Sequence, residues 1–185
     1  MVALGIGVLG LSPRLTEGGP AHELLDLLSY TLLIVAVLGR IWCSVYIGGR
    51  KKRELVAAGP YSIVRNPLYV FSFLGVTGIG LASGTVTLTI MLCLLFTVYY
   101  AAVVRHEERI LTELFGEPYT AYIARVPRWL PKFMLWSDNY RPQVEPRVVL
   151  ITMRDSVWFF IALPVFETIE YLHGLGYLPV VLNLP

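Results

Sequence analysis

Charge is scarce in this chain. Only 15% of its 185 residues are Asp, Glu, Lys or Arg, whereas 56% are hydrophobic. A soluble domain carries about a quarter charged residues, and here the apolar residues also arrive in blocks. An ordinary soluble globule is therefore excluded. Cysteine is nearly absent as well: Cys43 and Cys93 both sit inside apolar runs and match no zinc-ligand spacing, so both read as small packing residues. There is no internal repeat, no low-complexity tract and no soluble domain. What the chain has in quantity is membrane-length apolar sequence.

A membrane span needs about 20 mostly apolar residues. Leu24 to Ile47 qualifies, with Arg40 as its one charge, placed to snorkel toward the nearer membrane face. Tyr69 to Ala82 and Val86 to Val104 form an expected antiparallel hairpin across the turn "SGT", Ser83 to Thr85. Ser156 to Leu172 is a further span, interrupted by Pro164, and Met1 to Leu11 is counted as a short first span. Within the last span "ETIEYLH" places Glu167, Glu170 and His173 three residues apart, but near the outer end, where water rather than a metal is the expected company. Thirteen of the fifteen basic residues fall on one side of these spans, in "GGRKKRE", at Arg65 and between Arg105 and Arg154. The positive-inside rule assigns that side to the cytoplasm. The expected fold is an all-α, polytopic membrane helix bundle of about five spans, multi-pass, with any site among these loops facing the cytoplasm.

Those loops hold three polar features: "RELVAAGPYSIVRNPLY", the paired acids Glu107 and Glu108, and "FGEPYTAYIARVPRWLP". Separately each has a plain explanation. Tyr and Arg gather at membrane interfaces, and "RHEERILTELFG" reads as an amphipathic helix with Ile110, Leu111, Leu114 and Phe115 on one face. Gly116 and Pro118 end that helix, and "YTAYIARVPRWLPKF" has the mixture of a helix lying along the interface.

Together, in this order and spacing, the three features resemble the isoprenylcysteine carboxyl methyltransferases and the related membrane phospholipid methyltransferases. The family pattern runs Gly-x-Tyr-x-x-x-Arg-His-Pro-x-Tyr, a span hairpin, Glu-Glu, then Phe-Gly-x-x-Tyr-x-x-Tyr and Val-Pro-x-x-Leu-Pro. The resemblance covers residues 53–131 of a single integral membrane domain spanning 1–185, with 132–185 as an extension carrying a further span. It implies S-adenosylmethionine as cofactor and a lipophilic small molecule or lipid, dissolved among the membrane lipids, as methyl acceptor. No nucleic acid is implied. Carried over by position, cofactor contacts fall on Arg53, Glu54, Leu55, Val56, Tyr61, Arg65, Asn66, Pro67, Leu68, Tyr69 and Glu107. Such residues suit the ligand: a carboxylate accepts from its ammonium or ribose, arginine meets its carboxylate bidentately, and tyrosine faces meet adenine or sulfonium.

Two positions depart from the pattern. Asn66 stands where the family has histidine, so cofactor contact is retained but proton relay is not. Val103 stands where the prenylcysteine enzymes place a substrate-binding arginine, which leaves Arg105 or Arg109 to substitute and disfavours a prenylcysteine acceptor. Arg105 and Glu108 are the expected catalytic residues. Two other classes stay open. One is a nicotinamide-dependent membrane sterol-type reductase, which has a similar Arg-His-Pro-x-Tyr but no Glu-Glu. The other is a non-catalytic membrane protein that keeps the fold.

Overall fold

The computed structural model describes residues 11–12, 19–50, 53–138, 144–175, 177 and 182–183. Regular structure among them is helical apart from one short parallel pairing, β1 (Leu11–Ser12) with β2 (Leu182–Asn183). The helices are α1 (Pro20–Ile47), α2 (Pro60–Ile63), α3 (Pro67–Ala82), α4 (Val86–Phe115), α5 (Glu117–Arg125) and α6 (Pro146–Gly174), with a 3-10 turn at Phe133–Leu135. Three stretches are long and apolar enough to cross a membrane: Glu23–Ile47, Val86–Phe115 and Pro146–Ile169. The apolar α3 has 16 residues, or about 24 Å at 1.5 Å per residue. That is short of a hydrocarbon layer about 30 Å thick. The described residues thus hold three long apolar helices and one shorter one rather than five spans; most of the expected first span, residues 1–10, lies outside them.

The hairpin turn forms as its residues dictate. Gly84 takes φ +64°, the Ser83 hydroxyl donates to the Gly80 carbonyl at 2.6 Å, and the Thr85 N–H donates to Ser83 Oγ at 3.3 Å. The span ending at Val104 and the amphipathic helix that follows it are continuous. Val86 to Phe115 is one 30-residue helix without Gly or Pro, and polarity that rises along a helix does not interrupt it. Its apolar side chains Ile90, Leu94, Leu95 and Val98 are exposed, as suits a helix solvated by lipid. Gly116, at φ +59°, ends it. The interfacial helix expected next is also shorter than its sequence pattern. It stops at Arg125 because Pro127 and Pro131 remove backbone donors. Pro164 is accommodated inside α6.

The described residues divide into two compact units, one drawn from 1–35, 74–96 and 157–185, the other from 36–73 and 97–156. In the first, small residues permit close packing: Gly78 lies against Leu33 and the Ser29 carbonyl, Gly75 against Phe159, and the Ser29 hydroxyl donates to the Gly78 carbonyl at 2.9 Å. The Tyr30 hydroxyl donates to Glu167 Oε1 at 2.7 Å. The second unit has two buried clusters, Cys43–Tyr46–Tyr61 and Tyr119–Tyr122–Val126. Cys43 is fully buried in the first of these. The Arg40 guanidinium donates to the hydroxyls of Ser72 and Ser156, and so ties α1 to α3 and α6 within this unit.

Candidate active site

Backbone chemistry between Gly59 and Pro67 sets the site, which lies wholly in the second unit. Gly59 adopts φ +57°, ψ −131°, a conformation that favours glycine, and Pro60 starts the single turn α2. Val64 returns to extended backbone, and Pro67 keeps Asn66 from continuing a helix. This bent segment presents Tyr61, Arg65, Asn66, Leu68 and Tyr69 to one cleft, which Glu107, Glu108, Leu111 and Phe115 of α4 line from another side. The cleft is open, with about 810 Å³ of empty space when the solvent at its mouth is counted.

The neighbouring acids have different partners, as expected of side chains about 100° apart around a helix. Glu107 accepts from the Tyr69 hydroxyl at 3.0 Å, and the Tyr69 ring in turn packs on Tyr100 with centroids 4.8 Å apart. Glu108, only 8% exposed, sits between two arginines. Its Oε1 accepts from Arg65 Nη1 at 3.0 Å and from Arg128 Nε at 3.2 Å; its Oε2 accepts from Arg128 Nη2 at 2.6 Å. The Arg128 contact is bidentate, the strong form of this pair. Hydrogen bonding to Glu108 raises the Arg128 pKa further.

Beyond α5 the chain returns along the same bent segment. The Arg65 N–H donates to the Pro127 carbonyl at 2.8 Å, and Asn66 Nδ2 to the Arg128 carbonyl at 3.3 Å. The Lys132 N–H donates to the Ile63 carbonyl at 2.9 Å, and the Gly59 N–H to the Ser137 carbonyl at 2.8 Å. Tyr46 closes the far end, donating to Asp138 Oδ1 at 2.9 Å. Residues 126–138 are therefore a strap fastened to the segment that builds the cleft. Its Leu130, Phe133 and Met134 side chains stay largely exposed, as apolar groups at a lipid interface would.

Of the residues expected to hold a cofactor, Glu54, Leu55, Val56, Tyr61, Arg65 and Asn66 line this cleft, as do Leu68, Tyr69 and Glu107. Arg53 and Pro67 do not. Arg53 is exposed in the turn before the site, and Pro67 is buried where α3 begins. Glu108 lines the cleft, whereas Arg105 is exposed and returns its Nε to the Ala101 carbonyl at 2.8 Å. Two positions along a helix turn a side chain about 200°, so Arg105 faces away from Glu107. Sequence reasoning had not placed Ile47, Leu111, Phe115, Tyr119 and Tyr122 at the site. The last four carried a signal: Leu111 and Phe115 share the apolar face of their helix, and both tyrosines belong to the quoted Phe-Gly-x-x-Tyr-x-x-Tyr pattern.

The lining fits S-adenosylmethionine. Tyr61 Oη and Arg65 Nε are buried and have no hydrogen-bond partner among the described residues, a costly state that a polar ligand relieves. Burial raises the Tyr61 pKa well above its ordinary value. Burial, together with the Glu108 charge, pushes Tyr119 up to about 12. Both hydroxyls therefore remain protonated at neutral pH. Uncharged tyrosines, one arginine and the Glu107 carboxylate together match a ligand that carries an ammonium, a carboxylate, ribose hydroxyls and a flat base. Among the described residues no group of three or more His, Cys, Asp or Glu side chains is arranged to hold a metal ion.

Known proteins resemble the chain in two ways, by family and by individual relatives. The family model for phospholipid methyltransferases matches residues 27–118. The chain is 37% identical over 151 residues to the nickel-cobalt-cadmium resistance protein NccN of Alcaligenes xylosoxydans xylosoxydans, covering 82% of this chain and 70% of that protein. It is 37% identical over 150 residues to the cobalt-zinc-cadmium resistance protein CzcN of Cupriavidus metallidurans, covering 81% and 69%. A protein-S-isoprenylcysteine O-methyltransferase of Schizosaccharomyces pombe is 31% identical over 81 residues, 44% of this chain and 34% of that enzyme. No solved structure matches.

Proposed function

Because the chain belongs to the phospholipid methyltransferase family, we propose that it is an S-adenosylmethionine-dependent methyltransferase acting on a lipophilic acceptor dissolved in the membrane. The observation that carries this reading is the pair of unpartnered buried atoms, Tyr61 Oη and Arg65 Nε, on two residues that line the same cleft as Glu107. When bound, the cofactor supplies an electrophilic methyl group on a sulfonium. Glu107 accepts from its ammonium or ribose, Arg65 meets its carboxylate, and the Tyr61 hydroxyl completes a further hydrogen bond. Leu55, Val56, Leu68, Leu111 and Phe115 exclude water, which strengthens each of these polar contacts. Orientation of the two reactants supplies much of the catalysis, up to about 7–11 kcal/mol. A carboxylate acceptor needs no base, while an amine or hydroxyl must lose a proton. Val103 supplies no cation for a prenylcysteine carboxylate, so a different acceptor is favoured.

The relatives at 37% identity are named for metal resistance rather than for methyl transfer. This supports a second reading, in which the chain serves metal resistance and keeps the cleft without the chemistry; Asn66 and Val103 are the departures that favour it. Calorimetric titration of the purified protein separates the readings. S-adenosylhomocysteine, the product form of the cofactor, is expected to bind and reduced nicotinamide dinucleotide is not. Binding of neither would favour the second reading; binding of the nicotinamide would restore the reductase.

Thirteen basic residues fall on the same side of the spans as the site, which supports a cytoplasmic location for it. Single cysteines at Lys51 and Arg128, in a background lacking Cys43 and Cys93, are expected to resist impermeant thiol reagents in intact cells. Ready labelling at Lys51 would invert the orientation.

A further inference from the structure

The Glu-Glu pair divides its work, and the geometry points to Glu108 as a positioning residue rather than a base. Its role is to fix the Arg65 guanidinium, through which the cleft selects a ligand bearing a carboxylate. This rests on the reading of the cleft as a site for S-adenosylmethionine. Both Glu108 oxygens are occupied: Arg128 takes one at 2.6 Å and shares the other, at 3.2 Å, with Arg65 at 3.0 Å. Three N–H donors from two cations thus turn both oxygens of this carboxylate toward the guanidiniums. The carboxylate is well suited to hold a cation in place. Glu108 engages Arg65 through Nη1, and Arg65 Nε is buried without a hydrogen-bond partner. The side chains of Arg65 and Glu108 are 15% and 11% exposed, so this is a largely desolvated pair, and removing one member leaves the other charge uncompensated.

Arg128 couples the arrangement to the strap. Its backbone carbonyl accepts from Asn66 Nδ2, and the preceding carbonyl, of Pro127, accepts from the Arg65 N–H. Arg65 is thus held twice, by its backbone through Pro127 and by its side chain through Glu108. The strap residue next to Pro127 grips the same carboxylate. An arginine left to sample its rotamers loses much of its selectivity for a planar acid, because bidentate recognition depends on a fixed fork. The amide of Asn66 is sufficient for its part, since donation to a carbonyl requires an N–H and no titratable proton.

The test compares two ligands that differ at the amino-acid end: S-adenosylhomocysteine, which carries the carboxylate and its ammonium, and 5′-methylthioadenosine, which lacks both. Glu108→Gln is expected to weaken S-adenosylhomocysteine binding roughly tenfold or more, the scale for a disturbed charged hydrogen bond. Methylthioadenosine affinity should change less than about twofold. Arg128→Lys keeps the charge, removes the fork and should reproduce the same selectivity loss in milder form; it carries the test if Glu108→Gln does not fold. The double variant Glu108→Gln/Arg128→Lys should add nothing further to the ratio of the two affinities, since both changes release the same guanidinium. Equal loss for both ligands, or no loss for either, overturns the positioning role alone. Failure of the wild-type protein to bind either ligand overturns the reading of the cleft, and this inference with it.

Discussion

Gly59→Ala is expected to destabilise the protein markedly more than Gly116→Ala, although the two glycines share a conformation. Gly59 has φ +57°, ψ −131° and Gly116 has φ +59°, ψ −128°; each precedes a short helix with proline in its first turn. A side chain at either position incurs backbone strain of about 1–3 kcal/mol. The surroundings then separate them. A Cβ at Gly116 meets nothing within 4 Å, whereas one at Gly59 overlaps the ring of Tyr46. That ring cannot swing aside cheaply. Its hydroxyl is bonded to Asp138 and its edge packs on Trp42, with centroids 6.3 Å apart. Overpacking adds about 1–3 kcal/mol, so Gly59→Ala should lose about 2–6 kcal/mol in total. At about 2–4 °C per kcal/mol for a chain of this size, the two variants should be readily resolved by thermal melting in detergent. Gly59→Ala should also impair ligand binding, because Gly59 starts the turn that carries Tyr61. Equal melting points would show that the Tyr46 ring yields and that only backbone strain matters here.

Much of this arrangement was legible in the sequence, for physical reasons that differ by element. Hydropathy marks what lipid or the protein interior must accept, so the cores of α1, α3, α4 and α6 stand out from composition alone. Boundaries were less legible. The sequence between Val104 and Arg105 changes from apolar to charged, which suggests a junction, yet nothing in it breaks a helix, and α4 runs on to Phe115. The acids therefore stand on the same continuous helix as the span. That placement also explains Arg105: a residue two positions from Glu107 on one helix must face elsewhere, and a loop would have imposed no such constraint. The cleft residues between Tyr61 and Tyr69 were legible through the Arg-Asn-Pro-x-Tyr spacing and its resemblance to a family pattern. The Glu108–Arg128 contact was not. It joins positions 20 residues apart through a strap with two prolines, a stretch whose path is set by hydrogen bonds to Ile63, Arg65 and Asn66 rather than by any periodicity.

Glu107→Gln is expected to weaken S-adenosylhomocysteine binding by about 1.5–3 kcal/mol, the range for a hydrogen bond to a charged group, or roughly ten- to 150-fold. The fold should persist, since the amide is nearly isosteric and its oxygen can still accept from the Tyr69 hydroxyl, now at 3.0 Å from the carboxylate. What the substitution removes is negative charge beside a ligand that carries an ammonium. Removing the amino-acid end of the ligand separates two sources of that loss. If Glu107 serves the ammonium, methylthioadenosine should bind Glu107→Gln as well as it binds the wild type. If Glu107 serves the ribose, both ligands should weaken together. Tyr69→Phe supplies the reference, because it leaves the carboxylate in place and removes only its hydroxyl partner; its effect should be smaller, near the 0.5–1.5 kcal/mol typical of one hydrogen bond. An unchanged affinity in Glu107→Gln would move the cofactor away from α4 altogether. The Glu-Glu pair would then be left with the structural work of Glu108 alone.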